Sequence, residues 1–167
     1  MPSLSELLSS NGIEFDEIII FENNTDSGRD MTSTTSGATT TFYLHDSKPS
    51  AAIFISNVID TEDEEFNYAH KYLFLIHELS HVNDFRQRKN IDWKTGKTDL
   101  IKAEIFAELS TLKYLCQRDG DLYKIARMLY ASRLVDLYVS DCIYHKQIIR
   151  GVLKKYTLKK LKQWASA

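Results

Sequence analysis

Tyr72-Leu73-Phe74-Leu75-Ile76-His77-Glu78-Leu79-Ser80-His81 is the stretch on which the reading of this chain turns. Its first half is continuously apolar and reads as a buried helix, and its second half is an H-E-x-x-H pentapeptide. On a helix, residues i and i+4 share a face, so His77 and His81 can aim two imidazoles at one cation. Glu78 then stands beside that cation, where a carboxylate can take a proton from water.

Working outward, Thr61-Glu62-Asp63-Glu64 has the pattern of a capping box, and the acids Glu62 to Glu65 suit the positive end of a helix dipole. The helix is predicted to start there and run to about Arg88, with the pentapeptide in its second half. A polar loop, Asn90 to Lys97, should follow. A second helix is predicted from Thr98 or Asp99 to about Asp119-Gly120, where glycine suits a C-terminal stop. From Asp121 onward the pattern is helical, as one long helix or two, with Gly151 weakening the last turns.

Upstream, the first third reads as strands and loops. Glu14 to Phe21 is β-rich, Ala38 to His45 is rich in Thr and aromatics, and Ala51 to Ser56 is a short apolar run. The polar stretch Asn23 to Gly37 reads as a mobile loop or long turn, and Lys48-Pro49-Ser50 punctuates the approach to the third strand.

The 167 residues, 43% of them hydrophobic, suffice for one globular domain spanning 1–167 with a real core. Their 21 basic and 23 acidic residues leave a formal charge of −2, which points to neither nucleic acid nor an anionic membrane. No basic n-region or apolar h-region opens the sequence and no stretch has the length of a membrane span, so a cytoplasmic location is expected. Cys116 and Cys142 lack C-x-x-C spacing and read as two buried free thiols.

Two histidines do not complete a catalytic metal site, which takes three protein ligands and one open position. Leu100, Glu104, Ala107, Glu108, Thr111 and Leu115 fall on one helical stripe, placing two carboxylates on a largely apolar face. A buried, unpartnered carboxylate costs several kcal/mol, so these acids must be exposed, paired or bound to a cation. A zinc ion shared with His77 and His81 satisfies Glu104.

The pentapeptide and the acids downstream resemble the zincin superfamily of zinc-dependent peptidases over roughly positions 51 to 115. Glu-x-x-Ala-Glu, Glu104 to Glu108, is similar to the Glu-x-x-[Ala/Ser]-Asp element of its gluzincin branch. That resemblance implies Glu104 as third zinc ligand and Glu108 as the acid bonded to the other nitrogen of His77. Glu stands at 108 where the branch has Asp, which leaves either acid open as the one that touches the metal. A metzincin would need Gly and His where Asp84 and Gln87 stand. The chain is also similar in size and order to small cytoplasmic peptidases of the ImmA/IrrE type, whose second helix Phe106-Ala107-Glu108-Leu109 echoes. Those have Gly where Ser80 stands, and their downstream Met-Pro ending is missing.

Other residues carry weaker signals. His70 is too far along the helix to share the ion and reads as a surface residue. Asp84 lies on the ligand face but serves equally as a helix-end cap. Tyr144, His145 and Arg150 are candidate donors to an oxyanion, against a purely packing role. The basic tail around Lys159, Lys160 and Lys162 reads as a solvated helix face.

The expected fold is α+β and zincin-like: a small, mainly antiparallel N-terminal sheet packed on the pentapeptide helix, with a helical C-terminal half. Ala51 to Ser56 is the expected sheet edge at the cleft. The expected function is zinc-dependent hydrolysis of a protein or peptide substrate, with Glu78 as general base. The alternative is a non-catalytic binding or regulatory module of the same fold.

Overall fold

The computed structural model describes residues 18–22, 37–46, 48–56 and 62–167. Strands β1 (Ile18–Glu22), β2 (Gly37–His45) and β3 (Lys48–Ser56) form a sheet in the order β1-β3-β2. The expected mainly antiparallel sheet is mixed: β2 and β3 are antiparallel, but β1 runs parallel to β3, Ile18 against Ala51 through Glu22 against Ile55. The reason is connectivity. β2 and β3 form a hairpin, which returns β3 in the direction of β1. His45 pairs with Lys48 across its turn, and Asp46 adopts the positive φ of 50° that so tight a turn asks for. Pro49, expected just ahead of the third strand, lies within it, near its start, where a missing N–H is tolerated.

Of the polar stretch predicted as a loop from Asn23 to Gly37, residues 23–36 lie outside the described residues, as do Glu14 to Glu17 and Thr61, and Gly37 opens β2 instead. Helix α1 (Glu64–Gln87) is capped by Asp63, whose side chain accepts the Phe66 N–H at 3.0 Å. The cap therefore sits two residues later than the predicted Thr61, and only Glu64 and Glu65 occupy the first turn. The helix ends as expected at Arg88, which takes a left-handed conformation with φ 53°.

α1 is buried nearly all round. Every residue from Leu75 to Val82 is buried, which a helix tolerates only when packed on several sides. One side lies against β2 and β3, where Ala51, Ile53 and Ile55 alternate inward. The others lie against α2 (Leu100–Cys116) and α3 (Asp121–Val139). The shared core includes Leu73, Ile76, Leu79, Leu112, Leu115 and Leu134.

The predicted polar loop carries a small hairpin, β4 (Ile91–Asp92) with β5 (Lys97–Thr98). Asp84 ties this hairpin to the end of α1. Its buried carboxylate accepts the Asn90 N–H at 2.7 Å, the Asn90 amide at 2.9 Å and the Ile91 N–H at 3.3 Å. Asp84 is thus a loop anchor.

α2 starts where expected, next to Asp99, which caps it by accepting the Lys102 N–H. α2 stops at Cys116, and Gly120, with φ 118°, opens α3 instead of closing α2. The remaining chain forms three helices, where one or two were expected: α3, α4 (Ile143–Leu153) and α5 (Leu158–Ala165). Ser140 breaks the first pair by receiving the Cys142 N–H on its hydroxyl, and Thr157 caps α5 through the Lys160 N–H. Gly151 is a point of close approach. A Cβ there would stand 2.6 Å from Cγ1 of Ile105, so α4 packs on α2 directly beside Glu104. Both cysteines are free, but Cys142 is exposed because it falls in the α3–α4 turn, and Cys116 is half-buried.

Candidate metal centre

His77 and His81, one turn apart on α1, meet Glu104 of α2. The two Nε2 atoms lie 3.2 Å apart. Glu104 Oε2 is 3.5 Å from His77 Nε2, and its Oε1 is 3.5 Å from His81 Nε2. A tetrahedral ion with bonds of about 2.0–2.2 Å has donors roughly 3.3–3.6 Å apart; the Nε2 pair is slightly closer than that, and each nitrogen has one Glu104 oxygen within the range. Two imidazole nitrogens and one carboxylate are also the donor chemistry that zinc takes. The residues fit the ion. Among the described residues these three form the only such cluster of His, Cys and acids.

The sequence left open which acid faces the imidazoles. The structure brings Glu104 to both Nε2 atoms and turns Glu108 away. Burial pushes the Glu104 carboxyl up, but the adjacent His77 and His81 outweigh it and hold the group well below the usual carboxylate range. In the same way burial pulls His81 down, while Glu104, then the charges of Glu78 and Glu108, carry it above its ordinary value.

The expected direct bond from Glu108 to His77 is not made: Glu108 Oε2 lies 4.0 Å from Nδ1. Tyr130 of α3 occupies the gap. Its hydroxyl is 2.8 Å from His77 Nδ1 and donates a short hydrogen bond to Glu108 Oε2. The other oxygen, Oε1, accepts from Arg133 Nη1 at 2.7 Å. Glu108 and Tyr130 are both fully buried, and Arg133 supplies the countercharge that such a carboxylate requires. Burial first, then the adjacent Glu108 charge, pushes the Tyr130 phenol far up, so it stays protonated. Sequence reasoning missed Tyr130 and Arg133. They lie on a different helix, Tyr130 53 residues beyond His77, and no spacing rule joins them to the pentapeptide.

Glu78 is buried at the floor of a cleft of about 300 Å³ that His81 and Glu104 also line. Its Oε2 accepts the Thr40 hydroxyl of β2 at 2.5 Å. The sheet edge at the cleft is therefore β2, with Ala38, Thr39, Thr40 and Phe42 along the wall. β3, the expected edge, is paired on both sides and lies in the middle of the sheet. Ile91, Leu100 and Ala103 complete the opposite wall. Ser80, inside the pentapeptide, satisfies its hydroxyl on the Ile76 carbonyl at 2.9 Å.

His70 is half-buried, with its ring edge-on to Phe74 at 5.0 Å, and burial holds its imidazole below the ordinary value. Of the candidate oxyanion donors, His145 pairs through Nδ1 with Ser140 Oγ at 2.8 Å, and Arg150 is exposed. Tyr144, on α4, is pushed up by partial burial and then by the charges of Glu104 and Glu108.

No family model, curated protein or solved structure matches this chain. No helix among the described residues is long and apolar enough to cross a membrane.

Proposed function

We propose that the protein is a zinc-dependent peptidase whose metal is held by His77, His81 and Glu104 and whose general base is Glu78. The observation that carries this reading is the convergence of both Nε2 atoms and the Glu104 carboxylate at 3.2–3.5 Å, with the Glu78 carboxylate in the same cleft. When bound, zinc supplies Lewis acidity, lowering the pKa of water towards ~7 and polarising a carbonyl.

The remaining work falls to the protein's own groups. Thr40 holds the Glu78 carboxylate by its Oε2, leaving Oε1 for the proton of the attacking water, which Glu78 then delivers to the leaving amine. Among the described residues no strand pairs with the outer side of β2, whose main-chain donors and acceptors would serve an extended peptide, as in strand addition. Phe42, Ile91, Leu100 and Ala103 give the cleft apolar walls suited to a side chain beside the scissile bond.

A purely binding module would have no use for a carboxylate base beside a centre with an open position. The test is hydrolysis of a diverse peptide library by wild type and Glu78→Gln at matched zinc loading. Gln keeps the size of the side chain but cannot accept the proton, so cleavage should fall by at least ~100-fold with zinc content unchanged. Equal cleavage by both proteins would remove Glu78 from the mechanism. Partner binding by both without turnover would favour the binding module.

A further inference from the structure

We propose that Tyr130 is the positioning residue that fixes the tautomer of His77, holding the proton on Nδ1 and leaving Nε2 bare towards Glu104. The proposal deepens the metal-centre reading and rests on it for its consequence, although the tautomer itself does not depend on bound metal.

Arg133 stands at the far end of the hydrogen-bond chain. A guanidinium only donates, and Arg133 Nη1 donates to Glu108 Oε1 at 2.7 Å. A carboxylate that faces a guanidinium only accepts, so the contact at Glu108 Oε2 must be a donation from the Tyr130 hydroxyl. The phenol has one proton and has spent it. Its oxygen, 2.8 Å from His77 Nδ1, can then only accept, and Nδ1 must carry the N–H. A neutral imidazole has a single N–H, so Nε2 presents a lone pair.

The direction of each bond is thus set by a residue that cannot accept. Tyr130 and Glu108 are fully buried, which keeps water from supplying a competing partner. Glu108 cannot replace Tyr130, because 4.0 Å from carboxylate to Nδ1 is beyond a hydrogen bond. Such outer partners of metal-binding histidines orient the ring and raise its basicity.

The experiment is ¹⁵N NMR of histidine-labelled, metal-free protein at about pH 8, with His77 assigned against a His77→Gln variant. Wild type should show protonated Nδ1 and bare Nε2 at His77. In Tyr130→Phe the Nε2–H form should become populated, and the zinc Kd should rise about 10–100-fold. An unprotonated Nδ1 at His77 in wild type would overturn the proposal, as would a Phe variant that binds zinc with wild-type affinity. Should Tyr130→Phe fail to fold, the wild-type spectrum still decides. If wild type binds no zinc at all, the metal-centre reading fails, and the tautomer still supports or overturns the assignment of Tyr130.

Discussion

Glu104 Oε1 lies 3.5 Å from His81 Nε2, so without metal the two side chains form an ion pair in a centre that is largely shielded from water. Its pH dependence follows from the two shifts. His81 is raised in the folded protein, so its contribution is fully present below the unfolded value of about 6.5 and is lost as pH rises through the folded value. Glu104 is lowered, so its contribution is present above the unfolded value of about 4.3 and is lost as pH falls through the folded one. Metal-free protein should therefore be most stable between roughly pH 4.5 and 6.5 as far as this pair is concerned. Melting temperature measured from pH 5.5 to 8.5 should fall on the alkaline side, and Glu104→Gln should flatten that slope. A slope unchanged by the substitution would place its origin elsewhere.

The two acids of α2 should separate cleanly in zinc titrations. Glu104→Ala removes a donor that faces both Nε2 atoms and should cut affinity severely. Glu108→Ala removes a group that acts through Tyr130 and should cost about 10–100-fold, with added destabilisation because Arg133 loses its partner. The reverse ranking would make Glu108 the ligand.

Thr40→Val tests what the sheet does for the base. The replacement keeps the shape of the side chain and deletes the donor to Glu78 Oε2. A hydrogen bond to a charged group is worth ~1.5–3 kcal/mol, so kcat/KM for a cleaved peptide should fall about 10–100-fold while zinc content is unchanged. Wild-type kinetics would show that Glu78 needs no help from β2.

How much of this was legible in the sequence depends on how local the signal was. The pentapeptide helix, the start of α2 near Asp99 and the acid stripe of α2 are local patterns, and the two helices fold much as their periodicity indicates. The order β1-β3-β2 is set by long-range pairing, which short apolar runs do not encode, so the apolar run of β3 reads as the cleft edge although β2 forms it. Tyr130 and Arg133 sit on α3 among ordinary helical residues, and only the packing of α3 on α1 brings them under His77. Gly151 looked like a helix weakness because its role depends on Ile105, a contact between helices far apart in sequence.

That glycine yields a further prediction. Alanine at 151 gains about 1 kcal/mol of helix propensity but must displace Ile105, and overpacking of that kind costs ~1–3 kcal/mol. Gly151→Ala should lower the melting temperature and, through Ile105 beside Glu104, weaken zinc binding. A raised melting temperature would mean that α4 and α2 separate easily.

The central claim is most directly tested by zinc-edge X-ray absorption on reconstituted protein, combined with metal analysis. About one zinc per chain is expected, in a shell of two imidazole nitrogens at ~2.0–2.1 Å with carboxylate and water oxygens completing four-coordination. His77→Ala and His81→Ala should each abolish that signal. Protein that retains no zinc after reconstitution, or zinc whose shell survives loss of either histidine, would contradict it.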